Sequence, residues 1–212
     1  QFIGSNIEHE TNQYVGAYLL PPNAAEWQNY RKIKLVPFGE YIPLEDLIRS
    51  AFKNVEVLGE LGAFTPGPRD QKPLDVAGVS VGETICYESI FPQLWLSQNR
   101  QGAKFFVNIT NDAWFFKTAA PYQHLAVNVL RAVETGRPVL RAANTGFSAY
   151  IDPFGRIEKQ SGLFTQEILT ASVPLAVGDR QNFYTQFGDW FAWLCAALFF
   201  TLLISTMVFA YE

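Results

Sequence analysis

Between Leu74 and Gln160 the chain alternates strand-like apolar runs with helix-like segments, and that alternation limits the fold more than any other feature. Leu74–Val76 and Val79–Ile85 read as strands and Ser89–Asn99 as a helix. Lys104–Thr110 is a strand centred on Phe105-Phe106-Val107, and His124–Thr135 a helix with Leu125, Val129, Ala132 and Val133 on one face. Pro138–Ala142 is a further strand. Phe147–Asp152 and Arg156–Gln160 form a hairpin around Pro153-Phe154-Gly155, and Ile168–Pro174 is a last strand. Upstream, residues 1–8 and 13–20 read as a strand pair stopped by Pro21-Pro22-Asn23. Leu44–Phe52 reads as a short amphipathic helix behind Pro43, and residues 53–73 as a loop. Strands interleaved with helices predict the α/β class with a largely buried sheet.

Trp190–Tyr211 breaks the pattern. Asp189 precedes it, Glu212 follows it, and no charge lies between. About 20 apolar residues suffice to cross a bilayer, and Trp190, Trp193 and Tyr211 suit the interfacial aromatic belts. The expected division is therefore a domain over residues 1–182 and one transmembrane helix within 183–212. Aromatic residues make up 15% of the chain and gather around 105–116 and 183–211. The net charge of −4 is spread without long runs, which excludes a nucleic-acid surface. Two cysteines and two histidines lie too far apart for a zinc site, and no glycine-rich phosphate loop occurs. Neither a metal nor a cofactor is expected. Cys195 lies within the apolar stretch, so a disulfide to Cys86 is not expected either.

Cys86 ends an apolar strand in Gly82-Glu83-Thr84-Ile85-Cys86-Tyr87-Glu88, just before a helix-like segment. A sulfur at such a junction lies near the unsatisfied N–H groups of a helix start, which favour a thiolate. A lone cysteine after a strand is more often a packed core residue. The neighbouring segments change that balance.

Those segments are Tyr30-Arg31-Lys32 with Leu35-Val36-Pro37-Phe38-Gly39-Glu40-Tyr41 and Pro43, then Ile85-Cys86-Tyr87-Glu88. Asn108, Asn111-Asp112-Ala113-Trp114-Phe115, Gln123-His124 and Arg141-Ala142 with Asn144-Thr145-Gly146 add to them. Together they resemble the nitrilase superfamily, and within it the bacterial apolipoprotein N-acyltransferases, over nearly the whole chain. The resemblance implies an α-β-β-α sandwich, incomplete at its N-terminus, followed by one transmembrane helix. It implies Cys86 as the thioester-forming nucleophile, and Lys32 beside the developing oxyanion with the backbone N–H of Tyr87. A fixed cation and an N–H donor at such a site contribute several kcal/mol. Glu40 and Glu88 match supporting glutamates, whose plainer reading is structural ion pairing. Trp114, Phe115, Phe116 and Tyr122 fall in a loop expected to border the acyl-chain entrance, to pack ordinarily or to dip into the membrane surface. His124 reads as a structural histidine at a helix start and His9 as a solvated turn residue.

Three departures accompany the resemblance. The family's catalytic glutamate belongs to a Trp-Pro-Glu-like segment that does not occur here; Glu8, Glu10 and Glu26 lack its context. With a first residue, Gln1, already inside a strand, this leads to the expectation that the chain is a piece of a longer protein and inactive alone. Phe116 stands where the family usually has glycine, and Tyr122 where tryptophan is common. The implied activity moves an acyl chain from a phospholipid donor through Cys86 to the α-amino group of a diacylglyceryl-cysteine apolipoprotein. The implied location is the periplasmic side of a bacterial inner membrane, in contact with membrane lipid. A membrane-tethered nitrilase-type amidase and a non-catalytic anchored binding domain are the alternatives.

Overall fold

The computed structural model describes residues 2–9, 12–20, 27–44, 64–175 and 182–209. The expected helix over Leu44–Phe52, the first part of the 53–73 loop, Pro21-Pro22-Asn23, Glu10, Glu26 and the last residues of the apolar stretch lie outside them.

Two sheets form the centre. In the three-stranded one, β1 (Phe2–His9), β2 (Asn12–Leu19) and β3 (Gln28–Arg31) run antiparallel in the order β1-β2-β3. The six-stranded one has the order β4-β5-β6-β7-β8-β9. Its strands are β4 (Leu74–Val76), β5 (Val79–Ile85), β6 (Phe105–Asn111), β7 (Val139–Asn144), β8 (Ala149–Ile151) and β9 (Ile157–Gln160). β5, β6 and β7 are parallel, and antiparallel strands flank them on both sides. The helices α1 (Pro92–Arg100) and α2 (Ala120–Thr135) supply the parallel crossovers.

The apolar layers explain the stacking. Trp95 of α1, Leu125 and Ala132 of α2, Phe106, Val139 and Ile151 form one core, which seals both helices onto the six-stranded sheet. Ala17, Leu19 and Tyr30 of the small sheet pack against Leu74 and Ile85 in a second core between the sheets. Helices, large sheet and small sheet are thus three successive layers of the expected sandwich. Alternation along β5 puts Val81, Glu83 and Ile85 on the inter-sheet face and Gly82 and Thr84 on the helix face.

Several expected boundaries move for identifiable reasons. α1 begins at Pro92 rather than Ser89, because Phe91 precedes a proline and is held extended at φ −99° and ψ 95°. α2 begins at Ala120, earlier than His124, with Pro121 in its first turn. Its buried stripe runs through His124, Asn128, Arg131 and Thr135, while Val133 is exposed. The strand expected over Ile168–Pro174 is absent: Ile168 is 94% exposed and the segment pairs with no neighbouring strand among the described residues. After a short α3 (Phe183–Phe187), α4 (Trp190–Phe209) runs without a charged residue. Over Trp190–Val208 it is long and apolar enough to cross a membrane, with a mean hydropathy of 2.2 and none of it buried against the rest of the chain.

Candidate active site

The parallel strands end side by side, and their carboxyl ends carry the candidate residues. β5 stops at Ile85, and Cys86 turns the chain with a φ of 52°, opening the 3-10 turn Cys86–Ile90. A non-glycine residue adopts that left-handed conformation only where its surroundings enforce it. Glu88 supplies one constraint. Its Oε2 accepts the Ile85 N–H at 2.8 Å, which caps the turn.

The same carboxyl reaches the other sheet. Oε1 accepts the Ile33 N–H at 2.6 Å and the Lys34 N–H at 3.1 Å, and the Tyr30 hydroxyl lies 3.1 Å from both oxygens. One fully buried side chain therefore ties the end of β3 to the end of β5. Burial pushes the Glu88 carboxyl up to about 7, against the pull of the three N–H donors and of Lys32. Burial and the neighbouring Glu88 likewise raise the Tyr30 phenol well above its usual range.

Lys32 follows β3 directly and is buried, although its side chain ends in an ammonium. Its Nζ donates to Glu40 Oε1 at 2.6 Å, and Glu40 Oε2 accepts the Val36 N–H at 2.9 Å. The loop from Val36 to Tyr41 thus folds back to place a carboxylate on the lysine, with Phe38 turning at a φ of 59°. The lysine backbone is fixed as well: its N–H donates to the Val15 carbonyl at 2.8 Å and its carbonyl accepts from Gly67 at 2.8 Å. Lys32, Glu40, Glu88 and the Cys86 turn, all candidates from the sequence, lie in one continuous cluster. Tyr87, half-buried, sets its ring edge-on to Phe91.

Behind the cysteine, on the helix side, lies a polar network. Asp112 Oδ2 accepts from Arg141 Nη2 at 2.7 Å, and Asp112 Oδ1 meets His124 Nδ1 at 2.9 Å. Arg141 also donates to Asn108 Oδ1 at 2.6 Å, and Asn108 in turn donates to the Thr84 carbonyl at 3.2 Å. Burial alone would raise the Asp112 carboxyl, but the hydrogen bond from His124, the charges of Arg141 and His124 and the Thr110 hydroxyl hold it below its usual range. A Cβ at Gly146 would stand 2.3 Å from Asp112 Oδ2, so only glycine lets the turn after β7 close over this carboxylate.

The aromatic loop is placed at the rim. Trp114 is 80% and Phe116 71% exposed, while Phe115 is half-buried with its ring edge-on to His124. Tyr122 is exposed and rests against Phe147. Phe116 holds φ 47° and ψ −150°, a region that belongs almost entirely to glycine. That is the physical side of its departure from the family pattern.

Two participants carry no assigned role in the sequence reading. Tyr30 sits two positions before Lys32, so strand alternation puts both on one side of β3, a signal that was available. Glu83 is fully buried on the inter-sheet face of β5, and neither of its oxygens has a hydrogen-bond partner among the described residues. Burial, and then the charge of Glu88, raise its carboxyl well above the usual range. Nothing in its local sequence distinguishes it from a solvated glutamate.

Comparison with known proteins places this arrangement. The carbon-nitrogen hydrolase profile matches residues 2–181. The apolipoprotein N-acyltransferase of Geobacter metallireducens is 44% identical over 181 residues, covering 85% of this chain and 34% of that protein. The enzyme of that name from Pseudomonas putida is 38% identical over 198 residues, covering 92% of this chain and 37% of the relative. The chain therefore spans about a third of the length of these relatives. Among solved structures, a carbon-nitrogen hydrolase from Helicobacter pylori superposes with a TM-score of 0.57 at 14% identity, over 78% of this chain and 58% of that one. An amidase from Nesterenkonia sp. follows at a TM-score of 0.53 and 21% identity, over 76% of this chain and 56% of that one. The fold and the profile match agree: the chain belongs to the carbon-nitrogen hydrolase family.

Proposed function

We propose that this chain carries the nucleophile and the cation of an N-acyltransferase acting on apolipoproteins, with its α4 helix anchored in a bacterial inner membrane and residues 1–182 on the periplasmic face. The observation that supports it best is the buried Lys32–Glu40 pair, joined through Glu88 to the Cys86 turn. In this reading the Cys86 thiolate attacks an ester carbonyl of a phospholipid. Lys32 and the Tyr87 N–H stabilise the tetrahedral oxyanion, the lysophospholipid alkoxide leaves with a proton, and a thioester remains. The α-amino group of a diacylglyceryl-cysteine then attacks that thioester, loses its proton and takes the acyl chain, restoring the thiol. The proton transfers need a general base, for which we propose a glutamate outside this chain.

Glu40 keeps the ammonium oriented, and Glu88 holds nucleophile and cation in register. Trp114, Phe115, Phe116 and Tyr122 line the way for an acyl chain, which suits a lipid donor better than a small amide. The relatives, named apolipoprotein N-acyltransferases, support the acyl-transfer reading over a hydrolytic one. The test is peptide mass spectrometry on the full-length protein from native membranes. A hydroxylamine-sensitive fatty-acyl adduct on Cys86 that disappears on adding an apolipoprotein acceptor is the expected result. An adduct lost to water at the same rate without acceptor would favour an amidase-like hydrolase. A bare Cys86 under all conditions would favour a binding domain.

A further inference from the structure

Glu88 restrains the Cys86 turn from the Lys32 side; a different group restrains it from the helix side. His124 is buried, as are Asp112, Arg141 and Ser89 around it. Asp112, with Arg141 Nη2 at 2.7 Å on one oxygen, is an ionised carboxylate that can only accept. The His124 Nδ1 at 2.9 Å from the other oxygen must therefore carry a hydrogen toward it. Arg141 Nη2 stands 3.1 Å from the same ring nitrogen but, facing another donor, acts on the ring through Asp112, whose second oxygen it holds. With Nδ1 committed, Nε2 faces the cysteine turn, and it donates to a carbonyl there only in the ring form that carries a hydrogen on both nitrogens. It lies 2.9 Å from Ser89 Oγ and 3.2 Å from the Cys86 carbonyl oxygen. Phe115 closes the remaining side with its ring edge-on at 6.0 Å between centroids. No other side chain among the described residues makes a hydrogen bond to the Cys86 backbone.

We propose that His124 is a positioning residue for the nucleophile: pinned by Asp112 and Arg141, its Nε2 edge braces the Cys86 carbonyl and the Ser89 hydroxyl and keeps the cysteine in its left-handed turn. The left-handed φ of 52° needs such a brace, because a free L-residue relaxes out of it. The role is not that of a base. The ring contacts the backbone of the nucleophile and not its sulfur, and it lies on the opposite side of the turn from Lys32. This inference deepens the acyl-transfer reading and rests on Cys86 being its nucleophile.

The test compares His124→Gln, which retains a donor near the Nε2 position, with His124→Met, which fills similar space without one. In the full-length protein in detergent micelles, the alkylation rate of Cys86 by iodoacetamide is read by peptide mass spectrometry. The alkylation rate of Cys86 in the urea-unfolded protein serves as the reference. Thioester formation from a diacyl glycerophospholipid in mixed micelles is measured in parallel. His124→Gln is expected to keep Cys86 within about threefold of the parent. His124→Met should slow it by at least about tenfold with the unfolded-state rate unchanged, as small displacements of a reacting group do. Equal slowing by Gln and Met, or a parental rate in Met, overturns the proposal. Should His124→Met fail to melt cooperatively, Asp112→Asn takes its place: it preserves shape, weakens the Nδ1 anchor and should slow Cys86 severalfold, and a parental rate there overturns the proposal equally. Normal alkylation in a parent that never forms a thioester would sink the acyl-transfer reading while leaving the brace standing.

Discussion

Two glutamates five residues apart should respond to the same substitution with opposite signs. Glu88 accepts three backbone N–H groups and a phenol; Glu83, equally buried, accepts none among the described residues. A buried carboxylate without donors is forced toward its neutral form. Above the ordinary value of 4.5, each pH unit over which the fold keeps that carboxyl neutral costs about 1.36 kcal/mol. The sign follows from linkage. The folded state holds the proton more tightly than the unfolded one, so the stability from this group is complete below pH 4.5 and is lost as the pH rises toward the folded value. Glu83→Gln is shape-conserving and has no proton to hold. It should match its parent near pH 4.5 and gain on it as the pH rises, by about 1.4 kcal/mol for each unit over which the parent keeps its proton. Glu88→Gln can accept on only one atom and turns an amide against backbone donors, so it should lose at least about 2 kcal/mol. Urea unfolding of the purified protein, followed by tryptophan fluorescence across a pH series, measures both. A Glu83→Gln gain that does not grow with pH, or no gain at pH 7, would refute the reasoning.

Further outcomes follow from the site and its supports. Cys86→Ala should abolish the acyl adduct, and Lys32→Met should lower its rate of formation by at least about a hundredfold without unfolding the protein, read by mass spectrometry and circular dichroism. Phe116→Gly should raise stability by about 1 kcal/mol, because glycine adopts φ 47° and ψ −150° without strain; an unchanged melting temperature would contradict this. Gly146→Ala should cost about 1–3 kcal/mol in denaturant unfolding, since the new methyl meets Asp112 Oδ2 at 2.3 Å. Tyr30→Phe, which removes a donor from Glu88, should cost about 1 kcal/mol and slow Cys86 alkylation only slightly.

The order of strands and helices was legible because the apolar periods here are short and clearly bounded. β4 and β5 fall on the residues that the alternation marks, and the Gly78 turn between them is visible in Ala77-Gly78. The apolar stretch after Asp189 reads directly as a helix. Ile168–Pro174 misled because an apolar run with Ile168, Thr170 and Val173 signals a strand only when a neighbouring strand and a covering layer exist, and among the described residues neither does. In the site, Cys86, Lys32, Glu40 and Glu88 were found through their combined pattern. The left-handed turn at Cys86 was not, because the groups around it include Ile33 and Lys34, tied in through Glu88, and His124, which only the fold brings together. Glu83 was invisible for the opposite reason. A glutamate's identity says nothing about whether the other sheet will close over it.

The hydroxyls of α4 have a consequence for how an anchor of this kind works. Thr201, Ser205 and Thr206 all turn back onto their own helix, donating at 2.8 Å to the carbonyls of Ala197, Leu202 and Leu203. None of these donors points outward to grip another helix, and the surface between them is aliphatic and aromatic. Such a rod has no preferred azimuth about its long axis: lipid tails solvate every side of it alike. If α4 is the anchor proposed above, it would work as a swivel, fixing the height of the domain above the bilayer while leaving rotation about the membrane normal unrestrained.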